Sequence, residues 1–223
     1  IKADGTKITS KFFDFAPNLE LSNNASLKAT NLTLNTNSNL KLNGNSTAKV
    51  ENLIFKGFTS NDFTSKFTLD GTSTFSVTQA LSFDKSTFNL DNLKTTTINN
   101  LTLPTEYNLY AFNGSQITAK DFQNTNANAE FMLDKSTFTA TNAVSFQSAK
   151  IGVQNGAQFS ANSLNFTENS TLVLNDKATL TLTQELKGKD LTIYLDKASK
   201  LNANSLTSTG ASTINLNDKA VLT

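Results

Sequence analysis

The sequence predicts an all-β fold, a right-handed single-stranded parallel β-helix of about ten 21-residue coils. Three observations carry that expectation. An apolar anchor precedes each short polar turn at a nearly fixed period. A second large apolar residue stands two positions before every anchor. No stretch holds the i, i+3, i+4, i+7 spacing of an amphipathic helix for three turns.

The anchors are Leu21, Leu42, Leu69, Leu90, Ala111, Leu133, Val153, Leu174, Leu195 and Leu216. Successive anchors lie 20 to 22 residues apart, except for one gap of 27 between Leu42 and Leu69. A fixed period of this length is the signature of a repeat architecture. The upstream partners are Leu19, Leu40, Phe67, Phe88, Leu109, Phe131, Ile151, Leu172, Ile193 and Ile214. Apolar-x-apolar is the alternation of a strand with one buried face.

Asn, Asp and Gly dominate the two positions after each anchor, as in Asn43-Gly44, Asp91-Asn92 and Asn175-Asp176. These residues tolerate positive φ or bond their own backbone, so they suit tight corners. A second strand follows, written apolar-x-apolar-x-x-apolar, as in Leu27-x-Ala29-x-x-Leu32 and Leu201-x-Ala203-x-x-Leu206. A third apolar pair often closes the unit, for example Leu53/Phe55 and Leu164/Phe166. Adjacent Asp-Lys pairs such as Asp134-Lys135 and Asp196-Lys197 read as solvated corners that resist edge-to-edge association. A leucine-rich repeat is the competing template, since Ala29-x-x-Leu32-x-Leu34-x-x-Asn37-x-x-Leu40 fits it; later coils break it at Phe58 and Glu106.

Residues 1–223 are expected to form a single β-helix segment. Residues 1–18, with Phe12, Phe13 and Phe15, read either as a partial first rung or as a cover on its end. Residues 56–65 read as an inserted loop. The chain starts at Ile1 and opens and closes in mid-pattern, which predicts a piece of something longer.

Composition bounds the chemistry. The 223 residues contain no His, Cys or Trp, and all 19 basic residues are lysines. Without His there is no Ser-His-Asp triad and no usual zinc site. Without Cys there is no disulfide or thiol nucleophile, and without Arg no bidentate anion clamp. The net charge of +1, with lysines dispersed, argues against nucleic acid as partner. No apolar run approaches the roughly 18 residues of a membrane-spanning helix.

Binding is expected where regular coils are interrupted. The inserted loop supplies Phe58, Asn61, Asp62 and Phe63, either as a contact site or as a loop folded back onto the coil wall. A second departure, Pro104-Thr105-Glu106-Tyr107 followed by Tyr110, offers Tyr107 and Tyr110 as an interface or sugar platform, or else a proline-closed corner. The acidic residues are spread over the corners with no catalytic cluster in sequence. The expectation is therefore no enzyme, no metal and no cofactor.

The units Leu133-Asp134-Lys135-Ser136-Thr137-Phe138, Leu174-Asn175-Asp176-Lys177-Ala178-Thr179-Leu180 and Leu195-Asp196-Lys197-Ala198-Ser199-Lys200-Leu201, in a long cysteine-free chain rich in Asn, Thr and Ser, resemble the passenger domain of a bacterial autotransporter. Ala161-Asn162-Ser163-Leu164-Asn165-Phe166 is similar to coils of vacuolating-cytotoxin-like passengers. The resemblance implies export across the outer membrane, a secreted or cell-surface location, and a role in adhesion, host interaction or as a virulence-factor scaffold. The partners implied are a host-cell surface protein or glycan and the neighbouring coils of a longer passenger. Three alternatives stay open: a carbohydrate-active β-helix of the polysaccharide lyase or hydrolase kind, a leucine-rich binding module, and a pure spacer that holds an active module away from the membrane.

Overall fold

The computed structural model describes residues 2–14, 18–58, 67–69, 72–90, 101–102, 108–125, 127 and 129–223. Every regular element among them is a β-strand, and the strands stack in parallel as a β-solenoid of about nine turns. The chain divides into two compact units, Ile1–Pro104 and Thr105–Thr223.

In the first unit each rung has a short strand and a long one. The short strands Lys2–Asp4, Asn18–Ser22, Asn39–Leu42 and Phe67–Leu69 form one sheet in that order. Leu19 pairs with Leu40, and Leu40 with Phe67, as the anchor spacing requires. The long strands Lys7–Asp14, Ser26–Asn35, Thr47–Lys56 and Thr74–Asp84 run together the second and third apolar pairs. In Ser26–Asn35 the buried residues alternate up to Ala29, skip two places, and resume at Leu32. The skipped pair shifts the phase of alternation, so both halves of the strand keep their apolar side inward. Asn31 and Asn52 stack outside at this point, the Asn52 amide donating to Asn31 Oδ1 at 2.9 Å.

Residues 2–14 belong to a rung: Ala3 pairs with Leu21, and Phe13 with Leu32. The expected alignment fails at Phe88/Leu90, which joins neither the sheet of Phe67–Leu69 nor that of Asn108–Phe112. The sheet of short strands ends at Phe67–Leu69, and the pair Phe88/Leu90 does not continue it. Instead Gly57, at φ 61°, turns the chain so that Gly57 N–H donates to Asp84 O and Thr87 N–H donates to Phe58 O. Phe88 therefore stands beside Phe58 and Phe55, with the Phe55 and Phe88 ring centroids 4.8 Å apart. The 21-residue step from Leu69 to Leu90 is a coincidence of counting.

The second unit has three strands per rung. Its first column is Asn108–Phe112, Ala129–Asp134, Ala149–Gln154, Ser170–Leu174, Leu191–Leu195 and Thr213–Leu216, in register at every anchor. Two further columns begin at Gln116–Ala119 and Phe122–Asn124. They fuse in the long strands Thr179–Lys189 and Lys200–Thr209, across an irregularity between Leu182 and Glu185. Phe131 fills the centre, within 6 Å of Phe122, Phe138, Phe146 and Phe159 by ring centroid. In the final rung Ile214 and Leu216 are 42% and 50% exposed, although their partners Ile193 and Leu195 are buried.

The corners after most of the described anchors repeat one backbone device, and the corner after Leu133 uses a single left-handed residue, Lys135. Asn23 and Asn24, Asn113 and Gly114, Asn155 and Gly156, Asp176 and Lys177, Lys197 and Ala198 all have positive φ. The residue that follows is small and buried: Ala25, Ser115, Ala157, Ala178 or Ser199. Its N–H closes the turn on the residue three before it, as Ala157 does on Gln154 O at 3.1 Å. Corners also bond to one another, Gly156 N–H to Asp176 O and Lys177 N–H to Lys197 O. Lysine thus occupies left-handed positions that the sequence reading gave to Asn, Asp and Gly. Each such lysine accepts a backbone cost that glycine avoids.

Gly156, at φ 75°, has open space where a Cβ would stand, so Gly156→Ala probes the backbone alone. The expected loss in urea unfolding is about 1–2 kcal/mol. Unchanged stability would mean that the corner relaxes out of the left-handed region.

Candidate functional site

The outward face of the first column in the second unit departs from the polar exterior that such a wall ordinarily has. In each rung the residue between the two inward anchors points out. Down the ladder these are Tyr110, Met132, Gly152, Val173 and Tyr194, paired rung to rung. In the first unit the sheet of short strands carries charge at its outward positions, where Glu20 and Lys41 form an ion pair at 3.3 Å. An apolar lane therefore runs down this wall of the second unit.

Polar lanes flank it. On one side stand Glu130, Lys150, Thr171 and Thr192. On the other stand Asp134, Gln154, Asn175 and Asp196. Within the second lane Gln154 Nε2 donates to Asp134 Oδ2 at 3.3 Å, and Asn155 Nδ2 to Asp134 Oδ1 at 2.8 Å. At mid-lane Gly152 raises no side chain, and a depression of about 120 Å³ opens there, bordered by Met132, Lys150, Gln154, Val173 and Asn175. A Cβ at Gly152 would lie 2.5 Å from Met132 Cε, so the missing side chain is what lets the methionine lie flat against the wall. At the far end Tyr194 is 44% exposed.

Tyr110 is fixed in place. Its hydroxyl donates to Glu130 Oε2 at 2.8 Å, and Glu130 N–H donates to Asn108 Oδ1 at 2.9 Å. The Tyr110 and Phe112 rings lie 6.3 Å apart and within 7° of parallel. Burial pushes the Tyr110 hydroxyl up to about 12, helped by the hydrogen bond to Glu130 and by its charge, while Asn108 acts in the opposite direction.

Of the residues singled out by sequence, Tyr110 lies in this face. Phe58 does not serve as a contact residue: it is 1% exposed and packs 5.5 Å from Phe55, because Gly57 turns it inward. Asn61, Asp62, Phe63 and Tyr107 lie outside the described residues. Met132, Gly152, Val173 and Tyr194 were missed. Among the described residues no three His, Cys, Asp or Glu side chains gather as a metal site, and no helix is long and apolar enough to cross a membrane. No protein family, curated protein or solved structure matches the chain.

The raised Tyr110 value sets a sign for pH dependence. An unfolded tyrosine ionises near pH ~10, so the folded chain holds this proton longer. The stability it contributes is whole below that pH and is lost as pH climbs toward about 12. In a spectrophotometric titration one of the three tyrosines should ionise last, and Tyr110→Phe should remove that late phase. Three tyrosines ionising together would contradict the Tyr110–Glu130 bond.

Proposed function

We propose that the chain is a non-catalytic β-helical segment of a bacterial autotransporter passenger, secreted or displayed at the cell surface, whose wall makes contact with a host cell. The observation that carries the reading is the lane from Tyr110 to Tyr194. Large apolar side chains on the solvated face of a sheet cost solubility, and contiguous ones mark interaction surfaces. Tyrosine in particular gives an apolar body and a polar tip at low entropic cost, which suits contact surfaces.

The rest of the chain fits a route that ends outside the cell. It has no cysteine, so no disulfide can form in an oxidising periplasm and lock a loop before export. Each rung offers its successor a backbone edge, a row of apolar side chains and a corner that accepts the next corner. Such an array can grow from any formed rung. The partner expected is a host-surface protein or glycan, met by the outer wall without chemistry performed on it.

The test is flow cytometry of fluorescently labelled chain on cultured epithelial cells, beside a Tyr110→Ser/Tyr194→Ser variant with unchanged circular dichroism. The wild type should label the cells, and the variant should lose about tenfold or more in apparent affinity. Equal labelling by both, or none by the wild type, would refute the reading.

A further inference from the structure

We infer that the lane from Tyr110 to Tyr194 is a docking track for a neutral, linear, β-1,4-linked glycan lying along the solenoid axis. The inference rests on the host-contact reading and gives it a ligand class. A β-1,4-linked chain is a flat ribbon, with C–H groups on its two faces and hydroxyls along both edges. From Met132 to Tyr194 the wall presents the complement of that ribbon, an apolar lane between two polar lanes, and at the Tyr110 rung Phe112 widens the apolar lane. Gln154, Asn175 and Lys150 border the Gly152 depression and offer amide and ammonium groups to hydroxyl edges, while the lane itself receives a ring face.

Spacing supports the same ligand. Rungs repeat every ~4.8 Å, and an extended β-linked pyranose chain advances by roughly one rung per sugar. Tyr110, Met132, Gly152, Val173 and Tyr194 stand on five successive rungs, so the track takes about one sugar at each. Tyr110 is held for the purpose by Glu130 and lies almost parallel to Phe112, and a preorganised aromatic surface loses little entropy on binding.

Other occupants fit less well. The strands of this column are paired in mid-sheet, so the face offers no edge for an added peptide strand. Glu130, Asp134 and Asp196 beside the lane oppose an anionic lipid surface and a nucleic acid alike.

The experiment is calorimetric titration of the full chain with a size series of cello- and chito-oligosaccharides, with malto-oligosaccharides, which coil and do not form ribbons, as the control. Affinity for the β-linked series should climb with each added sugar and level off at about five, the number of rungs in the lane. The malto series should bind at least about tenfold more weakly. Gly152→Val fills the depression, and Tyr194→Ala removes the exposed ring at the far end of the lane. Each should weaken binding by about tenfold or more, with circular dichroism unchanged in both; a Cβ at Gly152 moves the Met132 tip off the wall, so Tyr194→Ala is the variant that leaves the methionine in place. No binding, affinity independent of length, or full binding by Gly152→Val would overturn the inference.

The cell assay separates the two proposals. Labelling that survives deglycosylation of the cells but not protease treatment, and still needs Tyr194, would leave the host-contact reading standing and remove the glycan. Length-dependent oligosaccharide binding without labelling of any cell would do the reverse.

Discussion

The fold depends on a corner at which two consecutive residues adopt left-handed backbone conformations and the next small residue goes inside. That corner turns the chain sharply between flat strands while keeping both strands in the plane of one rung. It also leaves N–H and C=O groups pointing along the axis, where Gly156 reaches Asp176 and Lys177 reaches Lys197. A wider turn would displace the second strand from the one beneath it and break the ladders Phe138–Phe159 and Ala140–Ala119. A large residue in place of Ala157 or Ser115 would force the same displacement, since both are fully buried beneath the turn.

With the corners in register, all other order follows from stacking. Inward residues meet their like in the rung above and below, and one rung alone could not cover either of its faces. Outward residues stack just as strictly. Any choice made at one outward position is therefore carried along the axis, and a lane of tyrosine, methionine, valine and glycine becomes a continuous surface. The ion pair of Glu20 with Lys41 shows the other use of the same geometry in the first unit.

Most of the ladder was legible because period-2 alternation and a 21-residue period reinforce each other, and every anchor pair of the second unit aligns as spaced. The Leu90 alignment failed because arithmetic cannot see Gly57. Its positive φ redirects Phe58 into the core and gives Phe88 a neighbour other than Phe67. The outward lane was equally present in the sequence, as the x of each apolar-x-apolar unit: Glu20 and Lys41 early, Tyr110, Met132, Val173 and Tyr194 later. Loops usually carry function, so insertions outweigh a regular strand as a sequence signal for a site. The resting place of Met132 over Gly152 lay beyond sequence, since it depends on which side chains become neighbours after stacking.

Amide hydrogen exchange tests the corner most directly. If corners bind rung to rung, the N–H groups of Gly156, Lys177 and Ala198, which sit in exposed turns yet donate to Asp176, Lys197 and Asp218, should exchange as slowly as strand amides such as Val153 and Leu174. Exchange of these three at the rate of an unstructured peptide, with the strand amides still protected, would show that strands stack without the corners and contradict the account.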